Sequence, residues 1–259
     1  MLISAAFCPH PPLLVPEATG HPGPADAELA RLRTACLDAV AVLTAGSPDL
    51  IAVVGGAPRT AEYPPGAPAS LTEFGVPGFV SWPPAAPPAD GADPTGGADP
   101  VALPLSLAIG KWLLSSARQR IRPSQVGWWG IATDAPPAQC QALGEKIAAL
   151  APRVALLAMG DGPGCRARGV PGAVEPAADR YDDRVRAALA EPDPGVLAAL
   201  DPKASDDLFA SGRAAWQVAA GAAGGGDFTA VVGYAATPFE VTYFAASWRH
   251  RMTPGATGA

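Results

Sequence analysis

A histidine held between prolines is the first candidate for chemistry in this sequence. His10 follows Pro9 and precedes Pro11 and Pro12. Because a proline fixes its own φ angle and restricts the residue before it, this loop holds the imidazole in one place. Such rigid presentation suits a metal ligand or an acid–base group. A structural histidine that is hydrogen-bonded near the loop fits equally well, since no second His or Cys lies at metal-motif spacing.

Two further candidates lie just after apolar segments. Asp161 stands between two glycines, where an aspartate can orient a base or bind a metal, although capping or turn formation is its commoner role. Arg59 follows Gly55 and Gly56, and a guanidinium there has the geometry to bind a substrate carboxylate in a bidentate manner. A solvated loop arginine is the alternative interpretation of Arg59.

Glu240 is the candidate carboxylate from the C-terminal part of the chain. Residues 239–248 are predicted as a strand, in which alternation places Glu240, Thr242 and Phe244 on one face. A glutamate there is a metal-ligand candidate if the strand end faces a pocket. Otherwise Glu240 is a surface residue on an edge strand.

The sequence lacks several common catalytic signatures. It contains no GxSxG elbow, P-loop, HExxH zinc motif or GxGxxG fingerprint. Of the other two histidines, His21 lies in a Gly/Pro loop and His250 lies between two arginines. Both are expected to be solvated.

Alternating strands and helices must position these residues. Strands are predicted over 2–8, 50–54, 78–82, 126–133, 153–159, 228–236 and 239–248. Helices are predicted over 26–43, 103–120, 137–150, 176–190, 195–200, 206–211 and 212–222. This order predicts a single α/β domain over residues 1–252, with a central mixed β-sheet flanked by helices on both faces. Ligands of such sheets bind beyond the carboxyl ends of the strands, where the candidates above are expected.

Composition narrows the classes of partner. The 29 Gly and 31 Pro among 259 residues fit a GC-rich genome, and their densest stretch, residues 83–100, predicts a surface loop. A net charge of −6 argues against nucleic acid as the main partner. Four dispersed cysteines, no long apolar run and no basic N-terminal segment predict a cytoplasmic protein with no membrane partner. Residues 253–259 are expected to form a disordered tail.

Segments spread over most of the chain resemble one enzyme family. They are residues 5–16 around His10, 48–55, 159–162 with 171–172, 212–217, 233–236 and 243–248. Together these segments resemble the class III extradiol ring-cleavage dioxygenases, the LigB-like superfamily that also contains the Memo proteins. The resemblance is closest to an alanine-rich actinobacterial branch described as LigB-subunit-like.

The resemblance implies an LigB-like fold and Fe(II) chemistry on a small aromatic diol. Active members hold non-haem Fe(II) with two His and one Glu, use a further His as acid/base, and bind a catecholate and O₂. His10 matches the first iron ligand, and Glu240 lies near the place of the carboxylate. Arg59 lies in the segment where the second metal His is expected, and Asp161 lies where the acid/base His is expected. The implied metal site is therefore incomplete.

Two hypotheses follow. The first is an extradiol dioxygenase-type oxidoreductase with His10 and Glu240 on Fe(II). The second is a non-catalytic descendant, or pseudoenzyme, that keeps the fold to bind a small molecule or a protein partner. A homodimer is expected in either case, because members of the family are often dimers.

Overall fold

A computed structural model describes residues 1–19, 26–76, 101–117, 121–122, 125–168 and 175–251. The strands are β1 (Leu2–Cys8), β2 (Leu50–Ala57), β3 (Ala61–Tyr63), β4 (Val126–Ala132), β5 (Val154–Met159), β6 (Phe228–Ala236) and β7 (Tyr243–His250). The α-helices are α1 (Asp26–Ala45), α2 (Leu105–Ser116), α3 (Pro137–Ala149), α4 (Pro176–Ala190), α5 (Pro194–Ala198), α6 (Pro202–Asp207) and α7 (Arg213–Ala223).

The strands form one seven-stranded sheet in the order β3-β4-β2-β5-β1-β7-β6. The four central strands β4, β2, β5 and β1 are parallel. The outer strands are antiparallel to their neighbours: β3 to β4, β7 to β1, and β6 to β7. The predicted single α/β domain with a mixed sheet is therefore confirmed. Because the central strands are parallel, their carboxyl ends share one edge of the sheet.

Helices cover both faces of the sheet. One core lies between the sheet and helices α1 and α2, and the other lies between the sheet and helices α3, α4, α5 and α7. Neighbouring residues of β1 enter different cores: the Phe7 ring packs 4.8 Å from the Trp248 ring, whereas Cys8 faces α1. Burial on both faces is why the central strands are continuous apolar runs.

Helices α3 and α7 approach each other through two glycines. A Cβ on Gly144 would overlap the Val218 carbonyl oxygen, and a Cβ on Gly221 would overlap the Gln141 backbone. The two helix backbones are thus nearly in contact. This close packing sets the position of the α7 N-terminus relative to the sheet.

The last predicted strand begins later than expected. Strand β7 starts at Tyr243, and Pro238–Glu240 forms a short 3-10 turn in which Phe239 and Glu240 have φ angles of 55° and 62°. Proline at the first turn position favours this turn, because it fixes φ and cannot donate to a strand ladder. The prediction that Glu240 lies on a strand face is therefore wrong.

Other predicted bounds shift by local capping. The helix predicted over 206–211 is instead α6, because Asp201 Oδ1 accepts the Ala204 N–H at 2.7 Å and so caps a helix that begins at Pro202. The helix predicted over 103–120 runs over Leu105–Ser116. The predicted strand 78–82, loop 83–100 and tail 253–259 lie outside the described residues, as does His21.

Within the described part of the chain, no helix is both long and apolar enough to cross a membrane.

Candidate functional site

Three adjacent strands bring Asp161, His10 and Tyr243 to the same edge of the sheet. Cys8 pairs with Met159 at the ends of β1 and β5, so His10 and Asp161 each lie two residues beyond a paired position. On the other side of β1, the antiparallel strand β7 begins at Tyr243. Tyr243 belongs to the core on the α1 side of the sheet, and the Asp161 charge acts on Cys36 of α1, so these two residues lie on that side.

His10 and Asp161 form a direct pair. The His10 backbone N–H donates to Asp161 Oδ1 at 2.8 Å, and His10 Nδ1 lies 3.5 Å from the same oxygen. The two side chains are only 13% and 18% exposed, and Nδ1 is a buried atom that makes no hydrogen bond among the described residues, Asp161 being its nearest charged neighbour. The carboxylate therefore fixes the loop and faces one ring nitrogen, which leaves Nε2 as the nitrogen available to a ligand.

The loop that carries Asp161 is held from behind by the start of α7. The Asp161 carbonyl accepts the Gly212 N–H at 2.8 Å, and the Asp161 N–H donates to Ser211 Oγ at 3.4 Å. Gly160 is required here, because a Cβ at that position would overlap Gly212. The position of Asp161 thus depends on the packing of α7 against the sheet.

Tyr243 completes the cluster and had no assigned role in the sequence analysis. Its side chain is buried, and burial, followed by the negative charge of Asp161, raises the pKa of the phenol well above its ordinary value. The hydroxyl therefore stays protonated and can donate a hydrogen bond at neutral pH. The sequence feature that could have identified Tyr243 is its position as the first residue of a strand that starts at the ligand-binding edge.

A second polar network fixes the neighbouring loops. Arg166 Nη2 binds Asp179 Oδ1 at 2.5 Å and Asp182 Oδ2 at 3.1 Å, while Nη1 donates to Thr242 Oγ1 at 3.2 Å. Thr242 Oγ1 in turn donates to Asp182 Oδ2 at 2.8 Å. Burial raises the pKa of Asp182, and its bonds with Thr242 and Arg166 oppose that rise. Sequence reasoning missed Arg166, whose partners on α4 and before β7 are distant in the chain.

This network also supports the Asp161 loop. The Gly162 N–H donates to the Thr242 carbonyl at 2.8 Å, and the Thr242 N–H donates to the Pro163 carbonyl at 3.0 Å. The segment after β5 is thus tied to the residue just before Tyr243. Asp161 and Tyr243 are positioned by one set of backbone bonds.

Two buried thiols lie behind the pair. Cys8 Sγ lies 3.8 Å from the Cys36 carbonyl oxygen. Burial, with smaller contributions from Cys8 and from the Asp161 charge, raises the pKa of Cys36. A fully buried thiol with a raised pKa is a poor nucleophile and a poor metal ligand. These cysteines therefore act as part of the core.

Arg59 and Glu240 are near the same edge but lie apart from this network. Arg59 is exposed, Glu240 is half-buried in its turn, and neither side chain makes a hydrogen bond or ion pair within the described residues. His250 was expected to be solvated. It is instead half-buried at the opposite edge, with its ring 5.2 Å from Phe228.

The described residues do not fit an Fe(II) facial triad. Such a site needs three protein ligands around one point. No group of three His, Cys, Asp or Glu side chains in the described ranges is arranged to hold a metal ion. His10 has Asp161 beside it, whereas Glu240 forms no hydrogen bond or ion pair with either residue. No iron-dependent step is therefore derived for this site.

Comparison with known proteins gives the fold and no activity. No protein-family model matches the chain, and no curated protein matches it. A solved structure, that of uncharacterized protein JW3007 from Escherichia coli K12, matches with a TM-score of 0.50 and 15% sequence identity over 95% of this chain and 99% of that one. At this identity the likeness concerns the fold alone, and it identifies the chain as a single-domain α/β protein with a mixed seven-stranded sheet.

Proposed function

We propose that this chain binds a small hydroxylated aromatic molecule without oxidising it, on a scaffold that resembles the extradiol dioxygenases. The ligand lies at the carboxyl edge of the sheet against His10, Asp161 and Tyr243. The observation that carries this proposal is the His10–Asp161 pair, in which the carboxylate faces one ring nitrogen of His10 and leaves the other free, while no third metal-ligating side chain joins the two among the described residues. The resemblance supplies the ligand class.

The pair suits hydrogen bonding to a ligand hydroxyl. Asp161 faces Nδ1, so the ring is oriented with Nε2 toward the ligand side. The Tyr243 hydroxyl is a second donor, because its raised pKa keeps it protonated. Two such bonds contribute about 0.5–1.5 kcal/mol each, so a small ligand also needs apolar contact to bind in the micromolar range.

Calorimetry under anaerobic conditions with a metal chelator tests this proposal. The probe is catechol, added to the full chain. We expect binding by the wild type, and about tenfold weaker binding by His10→Gln if one hydrogen bond and its orientation are lost. His250→Gln is the matched control, since it makes the same change at the opposite edge of the sheet. Its affinity should equal that of the wild type.

Two outcomes would overturn the proposal. If catechol gives no heat of binding, or if both histidine variants lose the same affinity for it, the proposed site is wrong. Stoichiometric iron in protein purified anaerobically, together with catechol-dependent oxygen uptake, would instead establish the dioxygenase hypothesis. In that case Glu240→Gln should lower the iron content, because Glu240 is the carboxylate ligand that the resemblance implies.

A further inference from the structure

Strained backbone is concentrated around the loop that carries Asp161, residues 160–168. Of the four non-glycine residues with positive φ in the described part of the chain, three lie beside this loop: Phe209 at 54°, Phe239 at 55° and Glu240 at 62°. Side chains other than glycine rarely adopt this conformation, because it costs free energy. Strain of this kind is found mainly at binding and active sites. Its concentration beside one loop therefore calls for a reason beyond the fold itself.

Phe209 occupies a position that glycine usually takes. It follows helix α6, where the Phe209 N–H donates to the Asp206 carbonyl at 3.0 Å and the Ala210 N–H donates to the Ser205 carbonyl at 2.8 Å. This pair of bonds is the Schellman motif, which requires positive φ at the residue after the helix. The phenylalanine there is 46% exposed, so its ring adds little to the core.

The turn before β7 repeats this combination of strain and exposure. The Val241 N–H donates to the Pro238 carbonyl at 3.3 Å, which closes a four-residue turn whose two middle residues, Phe239 and Glu240, both have positive φ. Such turns favour Asn and Gly at their middle positions. Phe239 is 42% exposed. A second exposed phenylalanine thus stands where the backbone conformation disfavours it.

Both turns meet the Asp161 loop at Gly164. The Gly164 N–H donates to the Leu208 carbonyl at 3.0 Å. A Cβ on Gly164 would lie 3.9 Å from Phe209 Cβ and 3.8 Å from Val241 Cγ2. The two phenylalanine-bearing turns therefore approach the same loop, three residues beyond Asp161.

Chain length limits how far these rings are from the polar cluster. Gly164 follows Asp161 by three residues, so their Cα atoms are at most about 11 Å apart. Phe239 precedes Tyr243 by four residues, which allows at most about 14 Å. These are upper limits for a fully extended chain, and the chain here is folded into turns. Both phenylalanines therefore belong to the surroundings of the proposed ligand site.

We propose that Phe209 and Phe239 form an apolar rim that binds a second ring of the ligand, so that the preferred ligand is a catechol with an aryl substituent rather than catechol itself. The inference rests on the proposed function, which places the hydroxylated ring at His10, Asp161 and Tyr243. Hydrogen bonds alone leave a small ligand weakly bound, and contact between aromatic rings supplies the apolar part of the affinity. The rim residues determine specificity and take no part in chemistry.

Calorimetry with two probes tests the rim, under anaerobic conditions with a metal chelator. The probes are catechol and 4-phenylcatechol. We expect the wild type to bind 4-phenylcatechol at least about tenfold more tightly than catechol. Phe209→Asn and Phe239→Asn should each lower this preference about threefold or more, because one ring contact is lost.

Phe74→Asn is the matched control. Phe74 is 41% exposed and lies in the turn Thr72–Phe74, which follows the edge strand β3 and has no positive φ at this residue. The substitution therefore removes an equally exposed ring outside the rim. The preference for 4-phenylcatechol should equal that of the wild type.

Urea denaturation gives a second readout, which distinguishes a binding role from a structural one. Asn adopts positive φ more readily than Phe, so both Asn variants of the rim should unfold at the same or a higher urea concentration than the wild type. They should nevertheless bind 4-phenylcatechol less tightly. A ring that serves packing would instead lose stability and binding together, and that result would overturn the proposal.

The outcomes separate the rim from the proposed function. If the wild type binds both probes equally, or if the rim variants keep the full preference, the rim is wrong and the ligand site at His10 stands. The rim is also wrong if Phe74→Asn lowers the preference as much as the rim variants do. If neither probe binds, the proposed function fails, and the rim fails with it.

Discussion

One carboxylate oxygen joins Asp161 to His10 in two ways: Oδ1 accepts the His10 backbone N–H at 2.8 Å and lies 3.5 Å from Nδ1 of the same residue. The bond spans 151 positions of the chain and connects the ends of two neighbouring parallel strands. It extends the β1–β5 pairing, in which the Gly160 N–H donates to the Cys8 carbonyl at 2.9 Å. The candidate site is thus also a structural link.

Replacing Asp161 should therefore cost stability. Asp161→Ala removes the acceptor and leaves a part-buried N–H unpaired, so we expect the free energy of unfolding to fall by about 1–3 kcal/mol. Asp161→Asn keeps an oxygen acceptor and should lose less. Urea denaturation measures both, and the exposed Asp134→Asn serves as the control. Equal stabilities of wild type and Asp161→Ala would contradict the pairing.

Tyr243 should make the fold sensitive to alkaline pH. Its pKa is raised in the folded chain, so the unfolded chain loses the phenol proton first, near the ordinary value of about 10. Stability then falls as pH rises above that value. Tyr243→Phe has no such proton, so its free energy of unfolding should fall less steeply between about pH 9 and 11. A constant difference between the two proteins over this range would refute the prediction.

Asp182 should make the free energy of unfolding depend on pH between neutral and acid conditions. Burial raises its pKa in the folded chain, so the folded state binds this proton more tightly than the unfolded state does. The stability that the protonated Asp182 contributes is fully present below the pKa of the unfolded chain, about 3.9. It is lost as pH rises through the higher pKa of the folded chain. Relative to Asp182→Asn, the wild type should therefore gain stability as pH is lowered from about 7 to 4. Asp183→Asn, on an exposed neighbour in the same helix, is the matched control.

Local sequence signals were sufficient for the class of fold. The apolar runs of β1 and β5 end at Pro9 and Gly160, and both strands end within one residue of their predicted positions. Strand β3 was missed because three residues carry no measurable periodicity. The turn at Glu240 was missed because its backbone conformation depends on packing, and a non-glycine residue at positive φ has no sequence signature.

The site was accessible to sequence reasoning only in part. His10 and Asp161 both follow central strands, so the general rule for α/β sheets places them at one edge. That rule gives no strand order, and their adjacency depends on β5 pairing directly with β1. Tyr243 and Arg166 were missed for the same reason, since their partners come from strand and helix neighbours that only the tertiary structure brings together.

The close approach of α3 and α7 gives the sharpest test of the packing behind Asp161. In an exposed helix, Gly→Ala is favourable by about 1 kcal/mol. At Gly144 the new Cβ would overlap the Val218 carbonyl, a backbone atom that cannot move aside as a side chain does. Overpacking of this kind costs about 1–3 kcal/mol, so we expect Gly144→Ala to lower the free energy of unfolding despite its helix propensity.

The same substitution at an open position separates the two effects. A Cβ on Gly225 would meet no atom within 4 Å, so Gly225→Ala should be neutral or slightly stabilising. Because α7 holds the Asp161 loop through Gly212, Gly144→Ala should also weaken catechol binding, whereas Gly225→Ala should not. If the two alanine variants proved equally stable, helices α3 and α7 would have to lie farther apart than their glycines indicate. The conclusion that α7 holds the Asp161 loop in place would then be wrong as well.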